Sequence, residues 1–117
     1  MAKISTHVLD VARGVPAFGV RIALWRIEAG GRERVAEAVT NADGRTAEPL
    51  VSAAELTGGV YELVFQAGEY LRAHGAALTD PAFLDEVVIR FGVSPGAASY
   101  HVPLLLSPYG YSTYRGS

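Results

Sequence analysis

The chain has 117 residues, half of them apolar, a net charge of −2 and no cysteine. That length suits one domain with its own core, and the missing thiols exclude disulfides, thiolate metal sites and a cysteine nucleophile. The balanced charge, without a long run of either sign, argues against nucleic acid, which calls for a basic patch or stripe. No stretch reaches the ~18 apolar residues of a membrane-spanning helix. The start, MAKISTHVLD, lacks the roughly 7–15-residue apolar core of a secretory signal, so the cytoplasm is the expected location. A chain of this size leaves about a third of its unfolded-state surface exposed on folding, and oligomerisation is a natural way to bury more.

Period-2 alternation dominates the chain. Ile4 to Val11 reads as the first strand, with Ser5, His7 and Leu9 on one face and Thr6 and Val8 on the other. Gly14-Val15-Pro16 marks a turn. Val20 to Glu28 sets Val20, Ile22, Leu24 and Arg26 against Arg21, Ala23, Trp25 and Ile27. Gly30-Gly31 separates it from a strand over Glu33 to Thr40, and Asp43-Gly44 is a further turn signal. After Gly58-Gly59, Val60 to Gln66 alternates Tyr61, Leu63 and Phe65 against Val60, Glu62 and Val64. Gly68 to His74 has no β-branched residue and reads as the one helix, with Gly75 as its C-cap. Ala76 to Ala82 is the expected flexible loop. Val87 to Phe91 is a strand, Ser94-Pro95-Gly96 a turn, and His101 to Leu106 a strand with Pro103 near its start, where a missing donor is tolerated. Ser107-Pro108 then leads to a last strand, Tyr111 to Arg115. Short strands at this spacing suggest a β-sandwich. There is no internal repeat and no linker.

Few side chains suggest chemistry by type alone. His7 reads as a half-exposed strand histidine and His101 as a residue at a sheet end. His74 suits a helix C-terminus, where the dipole favours a cation, and is assigned no role. Arg45 follows the Asp43-Gly44 turn; such an arginine is commonly solvated, or it can point into a shared cleft. The same stretch is excluded as a calcium loop, because Thr46 stands where a glycine is required and the closing glutamate is missing. No metalloprotease, nucleophile-elbow, phosphate-loop or dinucleotide motif is present. His7 and His101 alone make a weak zinc argument. Composition and spacing lead to an all-β domain and stop there.

The last eighteen residues, YHVPLLLSPYGYSTYRGS, go further. Chain ends are usually frayed and polar; this one holds a histidine, four tyrosines, an arginine and an apolar run, and is expected to be ordered and in use. The string resembles the C-terminal signature of the 5-hydroxyisourate hydrolases, the enzyme branch of the transthyretin-like family, whose hallmark is the ending Tyr114-Arg115-Gly116-Ser117. Two less specific blocks join it: Thr6-His7-Val8-Leu9-Asp10 with Gly14-Val15-Pro16-Ala17, and Thr40-Asn41-Ala42-Asp43-Gly44-Arg45. The resemblance covers nearly the whole chain.

It implies a transthyretin-like sandwich of two four-stranded sheets with one short helix, formed by a single domain over residues 1–117. It implies a dihedral homotetramer with active sites between dimers. It implies hydrolysis of 5-hydroxyisourate to 2-oxo-4-hydroxy-4-carboxy-5-ureidoimidazoline in urate breakdown, by water attack on a cyclic amide, without metal or cofactor. Carried over residue by residue, His7, Arg45 and His101 are catalytic, and His7, Arg45, Tyr114, Arg115, Gly116 and Ser117 bind substrate. Arg115 is also a candidate for a structural role. Two positions depart from the pattern: Ser99 stands where many members have a histidine, and Asp85 where a proline is common. A non-catalytic ligand-binding protein of the same fold is the alternative; it would have no need of the His7, Arg45 and His101 set.

Overall fold

Alternating apolar residues form a strand when one face is buried, and β1 (Ile4–Asp10) does so residue by residue: Ile4, Thr6, Val8 and Asp10 point inward, while Ser5, His7 and Leu9 are half-buried on the opposite face. The structure, a computed structural model, describes residues 3–52, 56–96 and 99–116. The remaining elements are β2 (Val15–Pro16), β3 (Arg21–Glu28), β4 (Gly31–Val39), β5 (Gly59–Gln66), α1 (Ala67–Ala73), β6 (Glu86–Val93), β7 (Tyr100–Ser107) and β8 (Gly110–Thr113). They make two four-stranded sheets, ordered β2-β1-β7-β8 and β4-β3-β5-β6. The expected sandwich of two such sheets with one short helix is therefore the fold observed. No helix among the described residues is long and apolar enough to cross a membrane.

The core lies between the sheets. Val8, Leu104 and Leu106 come from one side, and Val20, Leu24, Leu63 and Phe65 from the other. Each such side chain contributes about 1.5–3 kcal/mol when fully buried. Arg26, on the inward face of β3, is accommodated by bonds to the Tyr61 hydroxyl at 2.8 Å and the Gly58 carbonyl at 2.8 Å. Helix α1 ends as the sequence suggests, one residue displaced: His74 is the C-cap and Gly75 follows it. Gly75 donates to the Arg72 carbonyl and Ala76 to the Leu71 carbonyl, the paired bonds that close a helix C-terminus. Tyr70 of this helix donates to buried Asp10 at 2.8 Å, fixing the end of β1. Asp85, one of the two departures, accepts the Gly68 N–H through its carbonyl at 2.8 Å.

Two expectations are revised. The sequence marks Gly14-Val15-Pro16 as a turn, yet Val15 and Pro16 pair with Asp10 and Leu9 as a two-residue edge strand; the turn ends at Gly14, whose φ of 71° leads directly into the pairing. The last strand, expected over Tyr111 to Arg115, runs from Gly110 to Thr113. The register of β7 with β8 pairs Leu104 with Thr113, and the isolated bridge of His101 with Gly116 keeps that same register. Pro103 therefore stands opposite Tyr114, and its missing N–H breaks the ladder there. This also explains how an interior strand holds a proline: its nitrogen faces the side on which pairing with β8 has just ended.

Candidate functional site

Strands β1 and β7 pair in parallel, with Ser5 beside His101 and His7 beside Pro103. Both histidines lie on the outer face, where they are half-buried. A strand spacing of ~4.8 Å and an offset of two residues put their Cα atoms about 8 Å apart.

Arg45 reaches this face through a turn built by Asn41. The Asn41 side-chain oxygen accepts the N–H groups of Asp43 at 2.9 Å and Arg45 at 3.2 Å, and its carbonyl accepts Gly44 N–H at 2.9 Å. Asparagine is the residue that closes such turns on its own backbone. Gly44 has φ +76°, and a Cβ there would collide with the Val8 carbonyl oxygen. Glycine alone lets the turn lie against β1, where Val8 N–H donates to Gly44 O at 2.8 Å and Arg45 bridges to His7.

His7 Nε2 lies 2.8 Å from the Asp43 carbonyl oxygen. A carbonyl only accepts, so Nε2 carries the proton and Nδ1 is the ring nitrogen left for chemistry. His101 is held on both sides. Its Nδ1 is 3.0 Å from Ser5 Oγ, and its carbonyl accepts Gly116 N–H at 2.7 Å. A Cβ on Gly116 would lie 2.6 Å from His101 Cδ2, so only glycine fits against the ring. Burial pushes the His101 pKa below the ordinary histidine value, and positive charge on Arg45, His7 and Lys3 pushes the same way.

The structure thus brings His7, Arg45, His101 and Gly116 together. Tyr114 is exposed next to them in the chain. Arg115 points elsewhere: its guanidinium lies 4.2 Å from the centre of the Tyr100 ring and its Nη2 donates to the Ser99 carbonyl at 3.5 Å. Ser117 lies outside the described residues. His74 is remote in role, its ring packed at a tilt of 51° against Tyr70, with 4.3 Å between ring centres. Among the described residues no three His, Asp or Glu side chains gather as a metal site would require. Sequence reading missed the roles of Ser5 and of the Asp43 carbonyl. Ser5 shares the face of His7 by parity, but its meeting with His101 needs a pairing across 96 residues.

The arrangement offers two imidazoles, one of them disposed to be neutral, beside a guanidinium, which is the equipment of proton transfer with anion stabilisation. The 5-hydroxyisourate hydrolase of Pseudomonas aeruginosa is 52% identical over 117 residues, covering 100% of this chain and 93% of that protein. The structure of Klebsiella pneumoniae 5-hydroxyisourate hydrolase superposes with a TM-score of 0.81 at 38% identity, covering 100% of both chains. The crystal structure of (S)-allantoin synthase gives a TM-score of 0.91 at 42% identity; 99% of this chain is covered, and it spans 44% of that one. The HIUase/Transthyretin family matches residues 4–116, and the chain belongs to that family.

Proposed function

We propose that this chain hydrolyses 5-hydroxyisourate, opening its six-membered ring at a cyclic amide to give 2-oxo-4-hydroxy-4-carboxy-5-ureidoimidazoline, a step of urate breakdown. The observation that carries the reading is the convergence of His7, Arg45 and His101, from three separate segments, on one sheet face. The hydrolase names of relatives such as the Pseudomonas aeruginosa protein support it.

Hydrolysis needs a base for water, a proton for the departing ring nitrogen and a positive donor for the oxyanion. His101, disposed to be neutral, takes the proton from water as it adds to the carbonyl. His7, beside it, shares in positioning the water and in returning the proton as the carbon–nitrogen bond breaks. Arg45 holds the substrate's carbonyl and urea-like edge with its fork of donors and stabilises the oxyanion. Tyr114 supplies a wall and a hydroxyl, and Gly116 sets the position of the His101 ring. Arg115 holds the terminal segment through Tyr100. Ser117 binds substrate through its hydroxyl. Two imidazoles and a guanidinium cover the proton and charge work without a metal or cofactor.

The active unit in this reading is a dihedral homotetramer of single-domain chains, with each site completed between dimers. Support comes from Phe83 and Tyr109, whose rings lie 6.0 Å apart and are 70% and 66% exposed on the single chain, since adjoining exposed apolar side chains mark protein interfaces.

An ultraviolet time course tests the function. With 5-hydroxyisourate freshly generated by urate oxidase, added protein is expected to speed its decay well above the spontaneous rate; decay at the background rate overturns the reading. Gly116→Ala refines it. The added methyl must displace the His101 ring, and turnover is expected to fall on the order of tenfold, since a displacement of about 1 Å can cost up to ~10²-fold. Circular dichroism should show an unchanged fold. Wild-type turnover in that variant would remove Gly116 from the site.

A further inference from the structure

We propose that Ser5 is a positioning residue of the hydrolase site: its hydroxyl accepts the Nδ1–H of His101 and so leaves Nε2 of that ring as the basic nitrogen facing the cleft. The proposal rests on the hydrolytic reading given above and adds to it the residue that selects the tautomer.

The geometry begins with register. Parallel pairing puts Ser5 directly beside His101 on adjacent strands, both on the outer face. The Oγ–Nδ1 separation is 3.0 Å, within hydrogen-bond reach. On the opposite side of the ring, the Cβ, Cγ and Cδ2 edge packs against Gly116, where a Cβ would come within 2.6 to 3.2 Å. The imidazole is therefore held between β1 and the terminal segment. Nδ1 is taken up by Ser5, and Nε2 is the ring nitrogen that remains.

A neutral imidazole carries one N–H, and its place decides what the ring does. With the proton on Nδ1, Nε2 holds a lone pair and can take a proton from water. With the proton on Nε2, the ring can only donate there. The first arrangement follows when the Ser5 hydroxyl, 3.0 Å from Nδ1, accepts the proton that Nδ1 carries. Serine also suits the task better than a carboxylate would. A carboxylate partner would orient the ring but raise its proton affinity; a hydroxyl orients it and leaves the base neutral near pH 7. Ser5 touches no reacting atom, so it acts through His101 alone.

The test reads tautomer and kinetics separately. Long-range nitrogen–proton correlation spectra of the 15N-histidine-labelled wild-type protein, at a pH where His101 is neutral, are expected to show Nδ1 protonated and Nε2 bare. His101→Asn assigns the signal. A His101 with its proton on Nε2 overturns the proposal, whether or not the protein turns over 5-hydroxyisourate. In kinetics, Ser5→Ala is expected to lower kcat about tenfold with KM nearly unchanged, a modest part of what general-base catalysis supplies, and Ser5→Thr is expected to restore it. Wild-type kcat in Ser5→Ala also overturns the proposal. An inactive wild type with His101 in the Nδ1–H form would sink the hydrolytic reading and leave the tautomer assignment standing.

Discussion

His101→Asn is expected to reduce kcat/KM by about 10²–10⁴-fold, the usual worth of a positioned general base. Asparagine fits the half-buried position between Ser5 and Gly116 and keeps a polar group for Ser5, so the fold should survive; the backbone bond from Gly116 N–H to the carbonyl at residue 101 does not depend on the side chain. What disappears is an imidazole whose surroundings favour its neutral form. The wild-type pH profile gives an independent check. The His101 pKa is lowered, by burial first and then by the charges of Arg45, His7 and Lys3. A base with a lowered pKa stays deprotonated further into acid, and its activity is lost only as pH falls through that lowered value. The acid limb of kcat/KM should therefore lie below the ordinary histidine value of about 6.5. A limb above that value, or an asparagine variant with wild-type rates, would contradict the role given to His101.

How much of this was legible in the sequence differs from residue to residue. The face of His7 was readable, because parity along β1 places it with Ser5 and Leu9 whatever the strand pairs with. The face of Leu24, Leu63 and Phe65 was readable for the same reason. Gly75 announced the end of α1, since only a few residues close a helix that way. The partner of β1 was not readable: nothing local says that Ser5 lies beside His101, because that contact depends on a parallel pairing across the whole chain. The Asp43-Gly44 turn was visible, whereas its seat against Val8 was not. Pro103 was recognised as an obstacle to pairing, but its consequence appears on the facing strand, as the break before Tyr114. Arg115 shows the limit of motif transfer. It belongs to the terminal signature, yet its side chain packs on Tyr100, while its neighbour Gly116 meets His101.

Arg45→Ala is expected to lower kcat by about 10²–10³-fold, corresponding to roughly 2.7–4 kcal/mol for the loss of one oxyanion donor. Stability should change little, by about 0.5 kcal/mol at most for an exposed side chain. The bonds that hold the turn are made by Asn41 and by the backbone of residue 45, whose carbonyl accepts Asn41 N–H at 2.8 Å. The same substitution should move the acid limb of the pH profile upward, because it removes one of the positive charges that lower the His101 pKa. Arg45→Lys separates the two effects. Lysine keeps the charge, so the acid limb should stay near its wild-type position. Lysine lacks the planar fork, so it cannot hold a carbonyl and its neighbouring N–H edge in one geometry, and kcat should remain at least tenfold low. Kinetics of the three proteins across the pH range from about 5 to 8 decide the matter. An alanine variant that keeps both wild-type kcat and the wild-type acid limb would place Arg45 outside the site. One that loses kcat with no shift of the limb would mean that its guanidinium serves the substrate but lies too far from His101 to set its charge.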